Sequence, residues 1–270
     1  MTMRDLMQVL QEVWHNFPIA NRLARFNVRS RWADNYLGSV WDYLEPLMYI
    51  GTYFVVFGMG LYNGNVAGVP YILWLLTGIV PWYFIQGAFN KGLTSVSSQL
   101  NLLTKTNYPM SIAPLMPLLE EIRRYFVLTI FMVMVLIAFG YHPSIYWIQI
   151  LYAIPCMLIC MFAIDLLNST LTIVVPDYKT FANSLFRLIF FFSGIVINID
   201  AKNLPVAVVS VIKMMPFYYI IQMFRDTFLY HRWFWQQPSN TLFFWLVVTL
   251  ILIGGAHLHV RFRNRFTDLM

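Results

Sequence analysis

The chain has 270 residues, 59% of them apolar and 18% aromatic, with a formal charge of +6. Only 11% are charged, against about 25% in soluble domains, and the apolar residues come in runs too long for a globular core. A soluble enzyme or nucleic-acid-binding domain is excluded in favour of an integral membrane protein whose basic residues flank the apolar runs.

In chain order, the first sixteen residues, MTMRDLMQVLQEVWHN, lack the apolar core and cleavage site of a signal peptide. Residues 17–36 then read as an amphipathic helix. Ala20, Leu23, Ala24, Val28 and Trp32 share one face, and Arg22, Arg25 and Arg29 another, with Pro18 suited to the first turn. Such a helix lies in the inner headgroup layer, and Gly38 supplies a bend after it.

A helix needs about 20 residues to cross roughly 30 Å of hydrocarbon. Six runs qualify: 41–62, 71–89, 112–139, 145–175, 180–199 and 241–260. The third and fourth are longer than required. With both termini cytoplasmic, fourteen of the eighteen basic residues fall on the inner side. The other four, Lys202, Lys213, Arg225 and Arg232, lie in the connection 200–240, which is itself apolar. Lys213 and Pro216 divide it into halves of about 12 and 14 residues, each too short to cross. The pattern predicts an outer re-entrant helical hairpin serving as a gate, with Lys213, Pro216, Tyr218 and Arg225 as its candidate residues. A helix lying on the outer surface is the alternative.

The expected fold is therefore all-α, one transmembrane domain over 1–270. It comprises a cytoplasmic or interfacial N-terminal helix over 1–40, a six-span bundle 41–260 and a basic cytoplasmic tail 261–270. Charges near the bilayer point to function. Glu120, Glu121, Arg123 and Arg124 are spaced to neutralise one another along a helix. Asp165 in the fourth run and Arg187 in the fifth are candidates for a translocation path, together with the aromatic Trp82, Tyr83 and Phe191. Rings near span ends form interfacial belts, whereas inside a conduit they would stack on sugars. Pro81 and Pro155 are positioned to kink their spans.

No catalytic constellation emerges. The histidines (15, 142, 231, 257, 259) are scattered, which disfavours a membrane acyl- or glycosyltransferase. Cys156 and Cys160 sit one turn apart without further soft ligands, so packing thiols are expected and no metal site. A secondary transporter would be supported by inverted repeats, and none is visible. G-x-x-x-x-G-K-[ST] is absent, so the sequence offers no cradle for ATP phosphates.

The segment RSRWADNYLGSVWDYLEP resembles the corresponding stretch of permease subunits of ABC polysaccharide exporters, nearest to wall teichoic acid export permeases of Gram-positive bacteria. Leu37, Gly38, Trp41 and Pro46 carry the match. LLTKTNYPMSIAP, TIVVPDYKTF and MMPFYYIIQMFRD are similar to further family segments. Pro176-Asp177 stands where Arg-Asp is common, and Met215-Pro216 where Asn-Pro is usual. The resemblance implies two copies of this chain and two copies of a separate ATPase subunit that binds ATP and Mg, with no cofactor on this chain. The cargo implied is a lipid-linked glycopolymer, teichoic acid first, with O-antigen, capsular polysaccharide or drug export as alternatives. Residues 100–109 then serve as the coupling helix, through Leu100, Leu103, Lys105, Tyr108 and Pro109. The N-terminal helix, with Arg25, Arg29 and the bend at Gly38, becomes a lever into the first span.

Overall fold

The computed structural model describes residues 2–31, 36–60, 64–106, 108–199 and 205–266. Two helices come first, α1 (Thr2–His15) and α2 (Phe17–Arg31). Helix α3 (Trp41–Tyr53) follows and widens into a π-helical stretch, Phe54–Met59. Two-residue strands β1 (Asn65–Val66) and β2 (Val69–Pro70) form a hairpin whose turn, Ala67-Gly68, has positive φ at both residues, the geometry a two-residue β-turn demands. Then come α4 (Tyr71–Gly92), α5 (Ser95–Thr106), α6 (Leu115–Ala138), α7 (Ile150–Val174) and α8 (Tyr178–Phe192). Helix α9 (Val206–Met214) leads to α10 (Pro216–Arg225), which continues as a π-helical stretch, Asp226–Tyr230, and α11 (Pro238–Phe262) closes the order.

Helix α4 is apolar around its whole circumference and is accordingly the buried centre, packed by α6, α7 and α10. The outward faces of its neighbours stay apolar: Ile130 and Met134 on α6, Leu151 on α7, Leu185 and Leu188 on α8, Leu246 and Leu250 on α11 are all exposed. A surface of that kind is what lipid covers.

The long helices define two ends. At the basic end, α5 and the stretches before α6 and after α7 and α11 meet α2 in a small apolar cluster, which includes Ala20, Leu103, Met116, Ile173 and Phe266. At the opposite end, the hairpin end, the start of α4 meets the residues after α8: the Tyr71 hydroxyl donates to the Val196 carbonyl at 3.1 Å.

Three helical stretches are long and apolar enough to cross a bilayer: Tyr71–Gly92, Ile145–Val174 and Pro238–Arg265. Two of the other expected spans have identifiable departures. Helix α6 has ample length but carries four charges in its first ten residues. The run 180–199 is corrected: α8 stops at Phe192 after 15 residues, about 22 Å, because the chain turns at Ser193-Gly194, where φ at Gly194 is +73°.

Over 206–230 the half-helices expected from the sequence are present. Ala207–Met214 and Pro216–Tyr230 are bent by 81°. Pro216 has no N–H to continue a helix and holds Met215 extended, at φ −68° and ψ 132°.

The helical N-terminal segment expected from the sequence contains two helices, and the contacts of the first, α1, were not anticipated. Leu6, Val9 and Val13 pack on the core beside α11. Asp5 meets His257 at 2.8 Å, and Glu12 holds Arg263 at 2.8 Å and the Ser111 hydroxyl at 2.6 Å. On the opposite side Met3, Met7, Leu10 and Trp14 form an exposed stripe. Trp32, expected on the apolar face of the next helix, and Lys202 lie outside the described residues.

Glu12 should report on this junction. Burial raises its pKa, but hydrogen bonds from Ser111, Arg263 and Gln8 outweigh that and leave it below the ordinary value of 4.5. A carboxyl depressed in the fold contributes stability above its unfolded value and loses it as pH falls through the folded one. Thermal unfolding in detergent, taken from neutral pH to well below 4.5, should show that loss, and Glu12→Gln should flatten the acid limb.

Candidate functional site

A groove of about 440 Å³ opens between α3, α4, α6 and α8. Tyr49, Tyr53, Trp82 and Tyr83 give it aromatic walls, and Gln86 and Asn90 add amides. At its basic end lie charges drawn from four helices. Glu120 accepts from Arg31 at 2.7 Å, Lys91 at 2.9 Å and Asn27 at 2.9 Å. Glu121 pairs with Arg124 at 2.6 Å and with Lys91. Arg31 also approaches Asp42 at 3.9 Å, and Arg124 donates to the Tyr83 carbonyl at 3.2 Å. Isolated charges at this depth would be costly, and mutual pairing is what makes them tolerable.

Of the residues expected to line a path, the structure brings Trp82 and Tyr83 to this groove. Trp82 also has a packing role, stacked on Phe186 at 4.9 Å within a ring column that includes Phe89. Phe191 is 53% exposed and is not among the residues that line this groove, whereas its neighbour Phe190 is. Asp165 and Arg187 do not meet. Asp165 is wholly buried against Gly92, so closely that a methyl group at 92 would collide, and both its oxygens lack a hydrogen-bond partner. Arg187 is exposed on α8.

At the basic end the coupling candidates separate by face. Leu100 and Leu103 are buried in the apolar cluster with Ala20 and Met116, so they hold α5 against the rest of the chain. Lys105 and Tyr108 are exposed, with Leu102 beside them, and Pro109 is half-buried. Arg25 and Arg29 are exposed along α2. Gly38 has φ +50°, and a methyl group on its Cα would meet nothing within 4 Å, so backbone conformation alone requires glycine in that bend.

The gate candidates gather at the hairpin end. Lys213 and Tyr218 line a cavity of about 190 Å³ with Asp226 and Gln222. Tyr218 also lines a second, of about 360 Å³, with Arg225. Pro216 starts α10.

The profile of the ABC-2 type transporter family matches residues 21–229, most of the chain and all of the helices that build the groove. The chain belongs to this family. Among characterised relatives, an O-antigen export system permease protein RfbA from Klebsiella pneumoniae is 24% identical over 249 residues, covering 90% of this chain and 92% of its own. A protein of the same name from Myxococcus xanthus is 20% identical over 254 residues, covering 93% and 94%.

Within this ABC-2 chain the sequence pattern did not reveal Arg31, Asp42 and Lys91 as partners in the cluster around Glu120 and Glu121. Intrahelical spacing accounts only for Glu121 with Arg124. The available signal was that Asp42 and Lys91 sit at the ends of apolar runs and Arg31 at the end of the amphipathic helix.

Glu120→Ala would strip Arg31 and Lys91 of a shared acceptor. Because both cations keep some solvent, the expected loss is about 2–3 kcal/mol, below the range for a wholly buried pair. A lowered denaturation midpoint in detergent would register it, and Glu120→Gln, which retains one acceptor, should lose less.

Proposed function

We propose that this chain is the membrane subunit of an ATP-driven exporter that moves a lipid-linked polysaccharide of the O-antigen class across the cell membrane. The observation that carries this reading is the family match over 21–229, taken with relatives of matching length named as O-antigen export permeases. Two copies of the chain would work with two copies of an ATPase subunit. The sequence has no phosphate-cradling glycine loop, so ATP and Mg fall to that partner.

The groove supports a sugar cargo. Arg31, Lys91 and Arg124 are matched there by Asp42, Glu45 and Glu121, so its lining has no net charge to hold a polyanion. Rings can cover the flat faces of sugars, while amides and charged groups bond their hydroxyls. Wall teichoic acid is the second reading, favoured by the match at Leu37, Gly38, Trp41 and Pro46.

In this reading the basic end faces the cytoplasm. Helix α5 presents Lys105 and Tyr108 to the ATPase, and α2 acts as a lever through the bend at Gly38 into α3. The six-span bundle, with the hairpin as outer gate, belongs to the same proposal.

A mild-detergent pull-down from native membranes should recover an ATP-binding subunit at about equal stoichiometry, and a permease that purifies alone would sink the reading. Lys105→Glu and Tyr108→Ala should each weaken that association by about fivefold or more, and unchanged affinity in both would remove α5 from the coupling role. Tyr49→Ala with Tyr53→Ala should lower polymer export about fivefold or more while the ATPase still binds.

A further inference from the structure

Arg225 is a buried cation with no direct ion pair among the described residues, although the charge of the adjacent Asp226 reaches it. Its relative exposure is 2%. Its guanidinium lies 3.4 Å from the centre of the Trp74 ring, and Nη2 donates to the carbonyls of Ile195 at 3.1 Å and Trp74 at 3.5 Å. Nε has no partner, and no described carboxylate is within ion-pair distance. The fold makes room for this group: a Cβ at Gly78, one turn along α4, would lie 2.8 Å from Nη2. Ring and carbonyl dipoles ease the desolvation of a guanidinium but do not cancel its charge.

The surroundings add to the imbalance. The 360 Å³ cavity beside Arg225 is lined also by Arg232, Trp74, Tyr218, Gln222 and Asn198, and no carboxylate is among its described lining residues. The adjacent Asp226 lines the neighbouring, smaller cavity, which Arg232 also lines, and there Gln222 donates to its carboxylate at 3.1 Å. Arg232 is exposed at the mouth, its guanidinium 6.0 Å from the Tyr230 ring. Two arginines therefore line one cavity that has no carboxylate among its described lining residues, with Asp226 acting on both from outside it. In the groove of the basic end, by contrast, each cation has its carboxylate.

We propose that this cavity is an oxyanion site, built for a phosphate or diphosphate group with a small organic substituent. Guanidinium forks match phosphate oxygens two at a time, and the volume is within the range of small-molecule pockets, roughly 300–1,000 Å³. The occupant supplies the direct ionic partner that Arg225 lacks among the described residues. It is either the phosphate of a cargo or other soluble molecule, or the headgroup of an anionic phospholipid. The inference goes beyond the export reading and does not rest on it, since binding is measured without a partner ATPase and without transport.

The test uses the full chain in nanodiscs. In phosphatidylcholine discs, inorganic diphosphate is titrated by calorimetry, and in discs containing phosphatidylglycerol, thermal stabilisation over phosphatidylcholine is read. Arg232→Gln alters an exposed residue and leaves the fold intact, and Arg225→Lys keeps the charge while removing the fork. Loss of one charged hydrogen-bonding partner should weaken binding about tenfold or more. Diphosphate binding that falls in Arg232→Gln supports the site with a soluble phosphate group as its occupant. Stabilisation by phosphatidylglycerol alone, lost in Arg232→Gln, supports it with a lipid headgroup. No response to either probe, or responses that Arg232→Gln and Arg225→Lys leave unchanged, would overturn it.

Discussion

Glu120 and Glu121 put two negative charges at the start of a helix that is otherwise suited to lipid, and the arrangement of the basic end follows from neutralising them. Only one of the cations that do so, Arg124, comes from the same helix. Lys91 arrives from the end of α4 and bonds both carboxylates, and Arg31 arrives from the last turn of α2. A carboxylate without these partners would carry a desolvation penalty of several kcal/mol. The requirement therefore ties the amphipathic helix α2 to α4 and α6, and through Asp42 to α3. Motion of α2 cannot leave this cluster unaffected, which gives the proposed lever its physical content.

The two ends solve the problem of charge near lipid differently. At the basic end, cations and carboxylates balance around aromatic walls, and the groove keeps a polar but uncharged character overall. At the hairpin end, Arg225 rests on the Trp74 ring and on main-chain carbonyls. No described carboxylate forms an ion pair with it. A polymer passing from one to the other would leave a surface that suits sugars for one that suits phosphate. Between the ends, the ring column through Phe89, Phe186 and Trp82 ties α4 to α8.

Much of the architecture was legible because its causes are local. Pro216 breaks the helix wherever it sits, so the division of the hairpin followed from one residue. The apolar runs around α4, α7 and α11 announced themselves by length alone. What escaped depends on tertiary contacts. Helix α1 is short and mixed in composition, and its partners His257 and Arg263 lie some 250 positions away in the chain. A longer span was expected in place of the 15-residue α8 because the apolar run continues past the turn at Gly194. That Leu100 and Leu103 face their own protein and Lys105 faces outward was not legible, because an amphipathic helix does not say which of its faces meets the rest of the chain. Spacing also gave no means of telling Phe190, in the groove, from Phe191, outside it.

Cys156 and Cys160 are the only cysteines of the chain, and both are fully buried in α7 with no sulfur–sulfur bond. Their seclusion makes the natural protein silent toward water-borne thiol reagents, since such reagents need an accessible thiolate. A single cysteine introduced at Lys105 on α5, at Arg187 on α8 or at Lys213 on α9 would thus be labelled against an empty background. Spectroscopic distances between the two ends are open to measurement without first rebuilding the core.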